Sequence, residues 1–165
     1  MKRYGILLFG VVFLLLVAAP RITLAHCQVP CGIYDDDARF AMMLEHVTTI
    51  EKSISEIKAL SNDEDEDENQ ASEALSDNQL VRWVNNKDQH ADELSEIVTY
   101  YFMAQRVKPV DKSNAEGHQK YLEQLEMLHN MVVYAMKCKQ TVDTTNTDKL
   151  RQLIKDFKVA YLGHE

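Results

Sequence analysis

The residues of this chain best equipped for chemistry are His26, Cys27, Cys31 and Tyr34, in the run His-Cys-Gln-Val-Pro-Cys-Gly-Ile-Tyr. What they can bind depends on whether His26 is the first residue of the working protein. If it is, His26 offers a free amine and an imidazole, and Cys27 offers a thiolate and, once deprotonated, its own backbone amide nitrogen. Pro30 and Gly32 favour a tight reversal that returns the Cys31 thiolate to the same place. Amine, amidate and two thiolates then lie within six residues. Four mixed nitrogen and sulfur donors in a plane suit a square-planar d⁸ ion, which points to Ni(II) or Cu(II) ahead of tetrahedral Zn(II). Electron-rich donors of this kind also stabilise a higher oxidation state, so that nickel becomes able to cycle between two. The His26 imidazole is then available as an axial fifth ligand to the oxidised metal, and the Tyr34 hydroxyl can order a small ligand or its proton-carrying water.

A free amine on His26 requires proteolysis, and the preceding residues predict it. Lys2 and Arg3 come first, an apolar stretch runs from Gly5 to Ala19, and Thr23-Leu24-Ala25 carries the small residues that a signal peptidase reads. We expect residues 1–25 to be an export signal cut after Ala25. The apolar run is short of the roughly 20 residues needed to span a bilayer, and Pro20-Arg21 ends it, so a membrane anchor is not expected in the processed form. Removing Lys2, Arg3 and Arg21, with no acid among the leader residues, takes the formal charge from −8 to −11. Such an acidic chain is not expected to bind nucleic acid through its phosphates.

The elements that must hold the 26–34 segment are helices. Phe40, Met43, Leu44, Val47, Ile50, Ile54 and Ile57 recur at steps of three and four, the stripe of an amphipathic helix, with Asp35, Asp36 and Asp37 where a helix start favours negative charge. Asn62 to Gln70 reads NDEDEDENQ, too charged to bury itself and therefore expected to be a solvated linker. A second stripe, Leu80, Val84, Ala91, Leu94, Val98 and Tyr101, leads to a stop at Lys108-Pro109. A third runs through Tyr121, Leu125, Leu128, Val132 and Ala135 or Met136. After the capping-rich stretch Thr144 to Asp148, a fourth takes Leu150, Leu153 or Ile154, Phe157 and Tyr161. The expected fold is all-α, an up-down four-helix bundle over residues 35–165 with an N-terminal metal-binding hook at 26–34.

Other chemistries compete for the same residues. Cys27 and Cys31 have the spacing of a small disulfide loop, which an exported chain is free to close. A c-type haem site is excluded in its usual form, since three residues separate the cysteines and no His follows the second. Cys138 reads as a buried small hydrophobe. His46, His90, His118, His129 and His164 show no paired spacing, so each is expected to be a surface or satisfied core residue. Neither a Ser-His-Asp signature nor a glycine-rich phosphate loop is present.

The run H-C-x-x-P-C-G-x-Y closely resembles the nickel-binding hook of nickel superoxide dismutases, matching at His26, Cys27, Pro30, Cys31, Gly32 and Tyr34. The runs Asp35 to Arg39, Arg82 to His90 and Tyr101 to Pro109 look like one branch of the same family. The resemblance implies a hook exposed by proteolysis, a four-helix bundle, assembly as a hexamer, and superoxide as substrate. It implies His26, Cys27 and Cys31 as nickel ligands, with Tyr34 beside them in catalysis. The family's best-known pattern has Asp where this chain has Gln28. It also has a Glu and an Arg supporting the hook imidazole, near which this chain places Ala41 or Met42 and His90. Two functions follow: dismutation of superoxide to oxygen and hydrogen peroxide by Ni(II)/Ni(III) cycling, or an exported nickel or copper carrier without turnover.

Overall fold

The computed structural model describes residues 35–62 and 70–163. The leader 1–25, the hook 26–34, most of the acidic run and the last two residues lie outside the described residues. Four helical segments make up the described chain: α1 (Asp36–Asn62), α2 (Gln70–Glu96), α3 (Ala115–Gln140) and α4 (Thr145–Leu162), with α2 running on as a π-helix through Ile97–Arg106. No strand occurs among the described residues, and none of their helices is long and apolar enough to cross a membrane.

Cross-helix contacts fix the topology. Asp36 meets Tyr101, His46 meets His90, and Asn86 donates to Ser53, so α1 and α2 run antiparallel. Lys158 reaches Asp37 while Arg151 reaches Glu51, so α4 is antiparallel to α1 and closes the ring. The result is the expected up-down four-helix bundle.

The apolar stripes account for its interior. Phe40, Met43, Val47, Ile50 and Ile54 of α1, Ala91, Leu94 and Val98 of α2, Leu128, Met131 and Ala135 of α3, and Leu150, Ile154 and Phe157 of α4 are all buried. Two stripe positions fall outside. Met136 is exposed, Ala135 being the inward residue of that pair. Val84 is 37% exposed, because the inward positions of its turn go to Lys87 and to Asn86, which is bonded to Ser53.

Helix boundaries follow local chemistry. The Asp35 carboxylate accepts the Asp37 amide at 2.9 Å, as the acidic start predicts. The second helix ends at Arg106, two residues ahead of Lys108-Pro109. Its last ten residues widen into π geometry, with the Val107 amide bonded to the Phe102 carbonyl five residues back. At α4 the cap residue Thr144 makes no side-chain bond, and Asp143 just before it supplies the acceptor, its carboxylate taking both the Thr145 amide at 2.9 Å and its hydroxyl at 2.8 Å. Gly163, at φ 78°, ends α4 in the left-handed conformation that costs glycine least.

Among the described residues Lys87 is the one buried cation. Its ammonium donates to the Cys138 carbonyl at 2.9 Å, to the Lys139 carbonyl and to the Asp88 carboxylate at 2.8 Å, so all three protons are used and two of the C-terminal carbonyls of α3 are satisfied. Lys87→Met keeps the apolar stem and strands those acceptors. We expect it to lower unfolding free energy by about 2 kcal/mol in urea titration. Asp92→Asn, at the exposed pair Asp92–Lys139, should cost about 0.5 kcal/mol at most. Equal losses would show that Lys87 contributes only as another surface ion pair does.

Candidate functional site

The described chain begins one residue after Tyr34, and three elements converge there. The π turn brings consecutive residues Tyr101 and Phe102 both into the interior. Phe102 packs on Phe40 and Phe157, with ring centroids at 5.0 and 5.1 Å, and Tyr161 lies 5.5 Å from Phe157. Above this aromatic floor, Asp36 receives the Tyr101 hydroxyl on one carboxylate oxygen. Its other oxygen receives Tyr161 at 2.9 Å and the Arg106 guanidinium at 2.6 Å. Arg106 also donates to the Tyr161 oxygen at 3.2 Å. One carboxylate at the head of α1 is thereby tied to the π-helix and to α4, and it sets the direction in which the chain enters the bundle.

Burial pushes the Asp36 carboxyl up, but hydrogen bonds from Arg106, Tyr101 and Tyr161 outweigh it and hold the group below the ordinary carboxylate range. Burial and the Asp36 bond push Tyr101 up to about 12. A depressed carboxyl stabilises the fold above its unfolded value of about 3.9 and loses that contribution as pH falls through the folded value. Asp36→Asn should therefore be less stable than the parent at pH 7, with the gap narrowing steadily below about pH 4. Urea midpoints across pH 3 to 7 check this, and a pH-independent gap would mean that charge at Asp36 is immaterial. On their apolar stripes Tyr101 and Tyr161 read as core residues only, yet a phenol on a buried stripe needs a partner for its hydroxyl, and that need is the signal in the sequence.

The second constellation lies between α1 and α2. His46 and His90, expected to be separate residues, share a hydrogen bond between their Nδ1 atoms at 2.8 Å. Glu93 Oε2 stands 3.5 Å from the first and 3.8 Å from the second. Sequence spacing missed the pair because 44 positions separate its members, and only antiparallel packing of the helices joins them. Burial, then the neighbouring His90, push His46 below the usual histidine range, so its imidazole is neutral at pH 7. His118 does something simpler, bonding the Val110 carbonyl at 2.9 Å to brace its own loop.

Cys138 behaves as expected of a buried hydrophobe. It is fully buried, and burial pushes its thiol up to about 11, away from the thiolate form.

The family description "nickel-containing superoxide dismutase" matches residues 21–165, most of the chain, including the whole run from His26 to Tyr34. The chain belongs to the nickel-containing superoxide dismutase family. Comparisons with curated proteins and with solved structures gave no match. As a nickel superoxide dismutase the protein is an enzyme with a nickel cofactor and superoxide as substrate. The donor chemistry fits that cofactor: His26, Cys27 and Cys31 combine nitrogen with soft sulfur, the mixture a redox-active nickel centre needs. These three and Tyr34 lie outside the described residues. Among the described residues, the His46–His90–Glu93 cluster supplies no sulfur and Cys138 no thiolate, so neither duplicates that donor set.

Proposed function

We propose that the exported chain is cut after Ala25 and dismutes superoxide at nickel held by the His26 amine, the Cys27 amide nitrogen and the Cys27 and Cys31 thiolates. Six matching hook positions placed directly after a signal-peptidase pattern carry this reading. A bound nickel ion would supply there a one-electron couple between its divalent and trivalent states, the chemistry that disproportionation of two superoxides and two protons to oxygen and hydrogen peroxide requires. The thiolates and amide nitrogen donate enough charge to bring that couple into range. The His26 imidazole favours the higher state, and the Tyr34 hydroxyl holds the small anion and passes it a proton.

The proposed assembly is a homohexamer. A nine-residue hook with few apolar groups cannot preorganise itself, so neighbouring bundles would have to hold it and restrict access to the metal. Leu75, Val81, Tyr100 and Met103 of the second helix and its π extension stand exposed in the single chain, apolar surface available for such contacts. Light scattering should give six subunits, and a monomer with full activity would contradict this part. The whole reading is tested on exported protein by N-terminal sequencing, metal analysis and superoxide decay on one sample. We expect His26 first, one nickel per chain and rapid decay; a nickel-loaded protein starting at His26 with no turnover would leave the carrier reading in its place.

A further inference from the structure

We infer that His46, His90 and Glu93 form a second metal site, built on α1 and α2, that binds a divalent first-row transition cation. The cluster has the composition, convergence and access that such an ion needs. Two imidazole nitrogens and a carboxylate oxygen, one from α1 and two from a single turn of α2, lie within 4.8 Å of one another. Both histidines turn the same nitrogen inward. At 2.8 Å the two Nδ1 atoms share one hydrogen bond, so a single proton lies between them. A cation in place of that proton would use both lone pairs at once.

The spacing is close to what coordination demands. With metal–nitrogen bonds of about 2.05 Å, cis ligands stand about 2.9 Å apart at right angles and about 3.4 Å apart at the tetrahedral angle. The observed 2.8 Å between the nitrogens already approaches the right-angle value, and the Glu93 oxygen at 3.5 and 3.8 Å stands within about 1 Å of it. Gln89 donates to the other Glu93 oxygen at 2.7 Å, leaving Oε2 to face the imidazoles; such support of a ligating carboxylate is usual around bound metals. The histidine side chains are 12% and 24% exposed and Glu93 is 40% exposed, so the cluster opens to solvent on the Glu93 side, where water would fill the remaining positions.

Imidazole and carboxylate together select the divalent ions from iron to zinc over calcium and magnesium, which prefer oxygen alone. The absence of sulfur separates this site from the hook in kind.

The test uses the processed chain carrying Cys27→Ser and Cys31→Ser, so that hook thiolates do not compete, with zinc chloride as probe. Isothermal titration should show a saturable event that weakens by about 100-fold or more when His46→Gln and His90→Gln are added, since even indirect support of a metal ligand is worth 10- to 100-fold. Glu93→Gln should weaken binding by about 10-fold or more. Side-chain imidazole NMR on the chain with native His46 and His90 guards against a misfolded variant: zinc should shift both resonances together, in one saturation curve. Zinc that leaves those two resonances in place, or that binds the Gln variants as tightly, would overturn the proposal and leave the pair as a helix-to-helix hydrogen bond.

Discussion

Cys27→Ser is expected to abolish nickel retention and superoxide decay together, and Cys31→Ser to do the same. A serine hydroxyl is a hard donor that stays protonated at neutral pH, so each exchange removes both a soft ligand and a negative charge from the centre. The remaining donors would favour divalent nickel and leave the trivalent state out of reach of superoxide. Turnover should fall by more than about 100-fold, an effect on the scale of losing a metal's own support or more. The bundle supplies the control. Cys138 lies in the core, its thiol protonated by burial, so Cys138→Ser should lower stability modestly and leave nickel content and rate unchanged. Metal analysis and superoxide decay on the three variants decide the matter. A Cys27→Ser enzyme at parental rate would remove thiolate-held nickel from consideration.

The bundle was readable because its signal is local and periodic. Phe40, Met43, Val47, Ile50 and Ile54 announce a helix by spacing alone, and burying that face leaves few arrangements open to four such helices. What stayed hidden depends on pairings between distant positions. Lys87 sits on an apolar stripe at a place where any rule of burial would forbid a charge, and only the carbonyl end of α3, 51 residues on, explains it. The π turn is hidden for the same reason. Nothing in Ile97 to Arg106 demands a wider turn, yet that turn lets Tyr101 reach Asp36 while Phe102 packs on Phe40. His46 and His90 belong to this class as well. The hook is the reverse case: its donors are consecutive in sequence, so its chemistry was legible from residue types and spacing without any fold.

Retaining one residue before His26 should cost the enzyme nearly all its activity while leaving the bundle intact. In a chain that starts at Ala25, the His26 nitrogen is part of a peptide bond, and its lone pair is delocalised into the carbonyl. A free α-amine, with an ordinary pKa near 8, gives up its proton to a metal readily at neutral pH; a backbone amide does so only at far greater cost. One of the four proposed donors would thus be lost, although the imidazole and both thiolates remain. Some nickel should still bind, more weakly, and superoxide decay should fall by more than about 100-fold. The fold gives no reason for a loss of stability, because α1 begins at Asp36 and its carboxylate is held by Tyr101, Arg106 and Tyr161 well beyond the cut. Helix content and unfolding midpoint should therefore match those of the processed protein. The comparison needs two preparations, one released by a protease at His26 and one at Ala25, each loaded with nickel and assayed alike. Equal rates in the two would show that the amine is not a ligand, and export would then serve only to move the enzyme and not to make its metal site.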